Sequence, residues 1–334
     1  MLRKSEEEWV GQATSSYDDF AENLIKELNQ LYSKVFRYGG TMNLMDYRRL
    51  QLDLASARIV GGLVPGLNQT VISTLEQATQ EFYYDSYMMT AWSLDQTIPP
   101  NQELTLDQFI TDETIKNPSF SAYAAQYLAG RWQGDRFSDR IGTINNWMAR
   151  DIQTLTESAA LNGWSMQELS QQIRGLVGIS EDERLVTRPR AGRAKWRADM
   201  IARTELMQMT NNARNYLFEQ NRDVIDEEVW SSAEDARTCP DCFERDGKTR
   251  QEIMEALGEE DQDLDIDPPA HPRCRCIWIP KLKSWSDLLG EDYGKGMDDL
   301  ENVDEYQMKY FEPEFSKIVS MKTQPYEEWL KEAV

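Results

Sequence analysis

Cys239 and Cys242 stand in a Cys-Pro-Asp-Cys turn, and His271, Cys274 and Cys276 follow in His-Pro-Arg-Cys-Arg-Cys. These five are all the cysteines and the only histidine of a 334-residue chain. Thiolate sulfur and imidazole nitrogen are the usual donors to zinc, which takes four of them tetrahedrally in structural sites. A Cys-x-x-Cys turn brings two sulfurs to one ion, and a second pair returning from later in the chain completes the set. Five candidates thus compete for four places. His271 and Cys274 have turn-like i, i+3 spacing stiffened by Pro272, whereas an extended strand holds residues such as Cys274 and Cys276 roughly 6.5–7 Å apart. The spacing favours Cys239, Cys242, His271 and Cys274 as ligands, with Cys276 as the spare. Four protein donors leave no open position, which implies structure rather than catalysis. The plainer alternative is a set of reduced cysteines with a histidine that caps a loop.

The single histidine also excludes chemistry. A Ser-His-Asp triad, a Cys-His dyad and an HExxH zinc protease would each need His271 itself. No Walker loop and no GxGxxG occurs. Asp261, Asp263, Asp265 and Asp267 alternate, but they lack the glycine and terminal glutamate of an EF-hand loop and read as a solvated acidic loop.

The elements that must hold the cluster belong to a chain long enough for two or three domains. Hydrophobic residues make up 40%, with 10 Trp, 14 Tyr and 10 Phe, enough for real cores. Against 36 basic residues stand 58 acidic ones, a net charge of −22. Such a chain repels nucleic acid at long range, so its partners should be proteins or basic surfaces. The N-terminus lacks the apolar run of a signal peptide. The most apolar stretch, Ile59 to Leu67, is interrupted by Gly61, Gly62 and Pro65 and falls short of the ~18 apolar residues of a membrane span. These features point to synthesis and retention in the cytosol, where close cysteine pairs are more often metal ligands than disulfides.

Periodicity predicts an α+β fold: helical N-terminal and central regions, then a small zinc-stapled β-rich unit. Phe20, Leu24, Leu28, Leu31 and Val35 line one face of a helix starting near Tyr17 and stopped by Gly39-Gly40. A second helix is expected over Met42 to Ile59 and a third over Asn68 to Ser93. The aromatic run from Phe82 to Trp92 is too apolar for an exposed helix and should be buried. After the breakers Pro99-Pro100-Asn101 and Asn117-Pro118, Ile141, Ile144, Met148, Ile152, Leu155 and Ala159 mark a long helix to Asn162. Ser165 and Glu168 form a capping box for the next short one. Ala202, Leu206, Met209, Ala213 and Tyr216 face inward from a helix ending near Asn221. Residues 184–214 carry eight basic side chains against two acidic ones. Within them Arg188, Arg190, Arg193, Lys195 and Arg197 read as a solvated helix face, as a contact for phosphate or an acidic partner, or as the counter-charge to the acidic stretch Gln251 to Asp267. Glu228-Val-Trp-Ser-Ser and Cys276-Ile-Trp-Ile-Pro are short β runs. The expected segments are 1–128 (helical), 129–222 (helical), 223–280 (metal-stapled) and 281–334, an acidic tail with seven basic and 13 acidic residues.

Several strings carry a resemblance: Trp132-x-Gly-Asp-x-Phe-Ser-Asp-Arg-Ile, Gly163-Trp-Ser-Met-Gln-Glu-Leu, and Ile201-Ala-Arg-Thr-Glu with Asn211/Asn212-Ala-Arg after it. Then follow Asp235-Ala-Arg-Thr-Cys-Pro-Asp-Cys-Phe-Glu-Arg-Asp-Gly-Lys and Pro269-Ala-His-Pro-Arg-Cys-Arg-Cys. In this order, over about residues 130–280, they resemble the phage Mu F-like head morphogenesis family of minor capsid proteins. The resemblance implies a virion protein of a tailed phage, assembled in the host cytoplasm and present in few copies at the portal vertex. It implies roles in capsid assembly, DNA packaging or ejection, and as partners the portal protein, the major capsid or scaffold protein and packaged DNA, with no membrane. Arg203, Thr204, Glu205 and Asn212 match the family's helix motif, and a buried Arg–Glu–Asn network docking that helix on a Zn2+-bound unit would explain those residue types. Two rival readings are a phage-delivered effector enzyme, toxin-like or ADP-ribosyltransferase-like, and a zinc-containing DNA-binding module. The first lacks a further domain after the metal unit, and the −22 charge opposes the second.

Overall fold

A computed structural model describes residues 4–35, 46–98, 102–106, 137–162, 164–178, 193–233, 235, 237–257, 266–284 and 287–288. The fold is α+β: mainly helical, with a two-stranded sheet and the Cys/His cluster near the C-terminus. The helices are α1 (Glu6–Val35), α2 (Asp46–Asp95), α3 (Phe137–Asn162), α4 (Met166–Val177) and α5 (Ala194–Gln220). After them come β1 (Ile225–Ser231), the short helices α6 (Pro240–Arg245) and α7 (Arg250–Leu257), and β2 (Ile277–Leu282). The breakers Pro99-Pro100-Asn101 and Asn117-Pro118, and the tail beyond residue 288, lie outside the described residues.

Two compact units emerge. One gathers the described residues of 4–79 and 129–206, the other those of 80–128 and 207–334.

The first unit is all helix. Helix α1 begins eleven residues before the expected start at Tyr17, because Ser5 and Glu8 form a capping box: the Glu8 N–H donates to Ser5 Oγ (3.2 Å) and the Ser5 N–H to Glu8 Oε2 (2.7 Å). Its buried face runs through Trp9, Ala13, Tyr17, Phe20, Leu24 and Leu28. On α3, Ile141, Ile144, Met148, Ile152 and Ala159 are buried as the spacing predicts, while Leu155 is half-buried. The two helices meet α2 through a buried relay. Tyr17 Oη donates to Asn145 Oδ1 (2.8 Å), and Asn145 Nδ2 donates to Asn68 Oδ1 (2.6 Å). Burial pushes the Tyr17 hydroxyl pKa up, so the phenol stays a neutral donor. Helix α4 carries the predicted Ser165–Glu168 capping box and ends on Gly178, whose φ of 98° is the left-handed cap that glycine accepts most readily. It packs on α1 and α3, and Arg174 clamps Glu22 with two bonds of 2.9 and 3.1 Å.

Helix α2 corrects the expectation of two helices. It runs unbroken past Gly61, Gly62, Pro65 and Gly66. Proline in a helix interior costs about 3 kcal/mol and glycine about 1. Opposing this, Val60, Val64, Leu67, Val71, Leu75 and Ala78 are all buried and keep helical spacing straight through the interruption. Each large apolar side chain so buried contributes roughly 1.5–3 kcal/mol, so the stripe outweighs the breakers. The glycines still weaken the helix. A Cβ built on Gly61 or Gly62 meets nothing within 4 Å, and neither φ is positive. Gly61→Ala should therefore raise stability by about 0.4–1 kcal/mol, read as a higher thermal midpoint by circular dichroism.

The second unit takes the C-terminal part of α2, where Tyr83, Tyr84, Tyr87, Met88 and Ala91 pack against Met209, Ala213 and Leu217 of α5. Tyr83, Tyr84, Tyr87 and Met88 of the aromatic run are thus core, while Phe82 and Trp92 are half-buried and Met89 is exposed. Strands β1 and β2 pair antiparallel in the register Val229↔Ile279 and Trp230↔Trp278. The two indoles meet edge to face, 5.3 Å between centroids, at the centre of a core that includes Leu94, Phe218, Val224, Ile253 and three of the cysteines. No described helix is long and apolar enough to cross a membrane.

Candidate metal centre

The first half of the cluster is built by a short helix. Cys239 is the N-cap of α6, Pro240 takes the first helical position, and Cys239 Sγ accepts from the Cys242 N–H at 3.4 Å. Proline suits that position because its missing N–H would have no intrahelical partner. The second half is a turn. The Cys274 N–H donates to the His271 carbonyl (3.0 Å), Pro272 stands at the first corner, and Arg273 at the second has φ 63°. Asp235 ties the halves together. Its carboxylate takes two bonds from Arg275, of 2.6 and 2.5 Å, and one from the Arg237 N–H (2.8 Å). The Arg275 guanidinium bonds, then the Arg237 backbone N–H, hold the Asp235 carboxyl well below the usual range.

The five predicted donors converge in two overlapping groups. Cys239, Cys242 and His271 form one, Cys242, Cys274 and Cys276 the other, with the ligand atoms of each group within 4.8 Å of one another. His271 Nε2 lies 3.2 Å from Cys239 Sγ and 3.3 Å from Cys242 Sγ, and Cys242 Sγ lies 3.8 Å from Cys274 Sγ. Tetrahedral zinc with Zn–S near 2.3 Å sets two sulfurs about 3.8 Å apart and a sulfur and an imidazole nitrogen about 3.5 Å apart. The donor set therefore fits. His271 Nδ1 is 2.9 Å from the Pro272 carbonyl oxygen, and an N–H donated there leaves Nε2 free to ligate.

Cys276 departs from the argument drawn from strand spacing. Its sulfur joins those of Cys242 and Cys274, because Cys274 to Cys276 precede β2 and are not extended strand. Cys242, Cys274 and Cys276 are buried, while Cys239 and His271 are half-buried. The buried thiols oppose one another's ionisation. A hydrogen bond from Cys276 pulls Cys274 down, burial pushes Cys242 up, and the bond to Cys274 pushes Cys276 up. A divalent cation would offset this by stabilising several thiolates together.

Helix α5 receives the second half of the cluster. Asn211 Nδ2 donates to the Cys276 carbonyl and Arg214 Nε to the Trp278 carbonyl, each at 3.1 Å. Two side chains one helical turn apart on α5 thereby give partners to the carbonyl just before β2 and to that of Trp278 within it. Behind the sheet, buried Glu228 pairs with Arg222 (2.6 Å) and Arg250 (3.3 Å). Asp267 takes Arg250 (2.6 Å) and the Trp278 indole N–H (2.7 Å). The described end of the acidic stretch is therefore answered locally by Arg250. Asn211, Arg214, Glu228, Arg250 and Asp267 were not among the expected site residues, although the Asn211/Asn212-Ala-Arg string had carried part of the resemblance.

The other predicted residues have separate partners. Arg203 pairs with Glu6 and Asp199, and Glu205 with Arg140. Thr204 Oγ1 donates to the Met200 carbonyl (2.7 Å), and Asn212 Oδ1 accepts from Gln208 (3.1 Å). Of the basic candidates, Arg188 and Arg190 lie outside the described residues. Arg193 is buried, Lys195 holds Asp18 at 2.7 Å, and the Arg197 guanidinium stands 5.4 Å from the Trp147 ring centroid.

Comparison with known proteins gives one result for this region. Residues 150–279 match the family described as Phage Mu protein F like protein. A search of curated proteins and a search of solved structures each returned no match. The matched segment runs from within α3 to within β2, so it holds all five donors together with Asn211 and Arg214, which join α5 to the Cys276 segment. Residues 150–279 of the chain therefore carry a phage Mu F-like domain, the domain of a head morphogenesis family.

Proposed function

We propose that the protein is a structural minor head protein that binds the portal vertex and serves capsid assembly, DNA packaging or ejection. The observation that supports this most is the family match over a segment whose Cys/His donors are mutually close and mostly buried. Four protein donors to one ion leave no position for substrate, so the centre acts as a staple and the protein is not an enzyme. Zinc is the metal, held by four of Cys239, Cys242, His271, Cys274 and Cys276. The ion supplies cross-linking of α6 to the turn before β2, and the protein's own residues orient the donors.

Two measurements check this reading. Elemental analysis of the purified protein should give about one zinc per chain. Co-purification with the portal protein of the same phage, and detection of the chain in purified particles, should both succeed. Absence from particles together with failure to bind the portal would sink the proposal.

A further inference from the structure

The second unit carries a groove that the metal centre does not use. It lies between the C-terminal part of α2 and β2, with a volume of about 600 Å³. Phe82, Met89, Trp92, Ile279 and Leu282 form its apolar wall, and Arg214 stands among them. Met89 and Ile279 remain 40% and 43% exposed, although both are large apolar side chains. Clustered exposed apolar groups mark docking surfaces.

The polar part of the groove indicates what it takes. Arg214 spends its Nε–H on the Trp278 carbonyl, and among the described residues no ion pair involves its guanidinium. Burial lowers its pKa, the mark of a cation whose lost hydration is not balanced by a carboxylate. An arriving carboxylate would meet the remaining guanidinium N–H groups in charge-assisted bonds. Asp85 also lines the groove, so the incoming carboxylate must sit at the Arg214 end.

We propose that this groove receives residues 305–315 of the chain's own acidic segment, Glu305-Tyr-Gln-Met-Lys-Tyr-Phe-Glu-Pro-Glu-Phe315. Phe311 and Phe315 supply apolar anchors, and Glu312 or Glu314 the carboxylate for Arg214. Reach is no obstacle. Leu282 lines the groove, the described chain ends at Leu288, and the link to Glu305 can span about 55 Å when extended. The inference does not depend on the head-protein reading.

Full-length protein with p-benzoyl-L-phenylalanine in place of Met89, purified and irradiated, provides the test. A cross-link at monomer mass, mapped by mass spectrometry to residues 305–315, is the expected result. The double variant Glu312→Gln/Glu314→Gln alters only the incoming segment and should lower the yield about tenfold, the worth of a charge-assisted bond of about 1.5 kcal/mol. Cross-links to Tyr326-Glu-Glu-Trp329 or to any other segment would overturn the proposal. So would a dimer-mass product, no product from protein with native circular dichroism, or a yield indifferent to the double variant.

Discussion

Cys242→Ser is expected to abolish metal binding, with zinc falling from about one per chain to near zero in elemental analysis. Cys242 belongs to both donor groups, and its side chain is buried in the core around Trp230 and Trp278. Removing it leaves neither group complete. Structural zinc contributes an apparent 10–16 kcal/mol in zinc-finger peptides, on the order of the whole net stability of a domain at about 5–15 kcal/mol. Residues 225–284 should become sensitive to limited proteolysis, while α1, α3 and α4 keep their helical signal. Cys239→Ser and Cys276→Ser should each do less, because either leaves one of the two donor groups complete. Acidification acts in the same direction, since thiols and imidazole must lose their protons to ligate. Full metal retention by the Cys242 variant, or equal losses in all three variants, would contradict the shared-ligand geometry.

Glu205→Ala is expected to destabilise the helical unit by about 3–5 kcal/mol, measured as the shift in denaturant midpoint at constant slope. Glu205 is 1% exposed, and its carboxylate meets Arg140 on α3, whose side chain is 16% exposed. Truncating the acid takes the Glu205 carboxylate from a largely buried guanidinium. Replacing both partners with apolar residues of similar volume, as in Arg140→Met/Glu205→Leu, should recover most of the loss, because desolvation of the pair offsets much of its attraction. A single variant costing less than about 1 kcal/mol would mean that water reaches Arg140 and the pair behaves as a surface bridge.

These two sites differ in how far the sequence anticipates them. The metal donors are legible because cysteine and histidine are rare here and clustered, and few other roles suit that pattern. The partner of Glu205 is not legible, because Arg140 lies 65 positions away and any of several acids or bases could have faced it. Local motifs show both outcomes. The Ser165–Glu168 box was anticipated, yet Ser5–Glu8 and Thr249–Glu252 make the same reciprocal bonds and start α1 and α7 unforeseen. The signal was identical in all three. Around Ser5 the apolar stripe did not announce itself, and Thr249 opens a helix inside a stretch read only as acidic.

By itself the sequence determined the candidate donors of the metal centre, the apolar stripes of the long helices, the α+β class and the Mu F-like character of residues 150–279. Each of these is a short-range pattern or a residue type with few chemical roles. The tertiary structure decided that α2 passes through Gly61, Gly62 and Pro65, since only packing gives the buried stripe enough energy to outweigh its breakers. It also brought Cys276 to Cys242 and Cys274, which the spacing along a strand argued against, because a turn ahead of β2 sets the backbone there. Finally, it gave Asn211 and Arg214 the task of holding the Cys276 and Trp278 carbonyls from α5. Such contacts join residues more than 60 positions apart, and no local pattern names their partners.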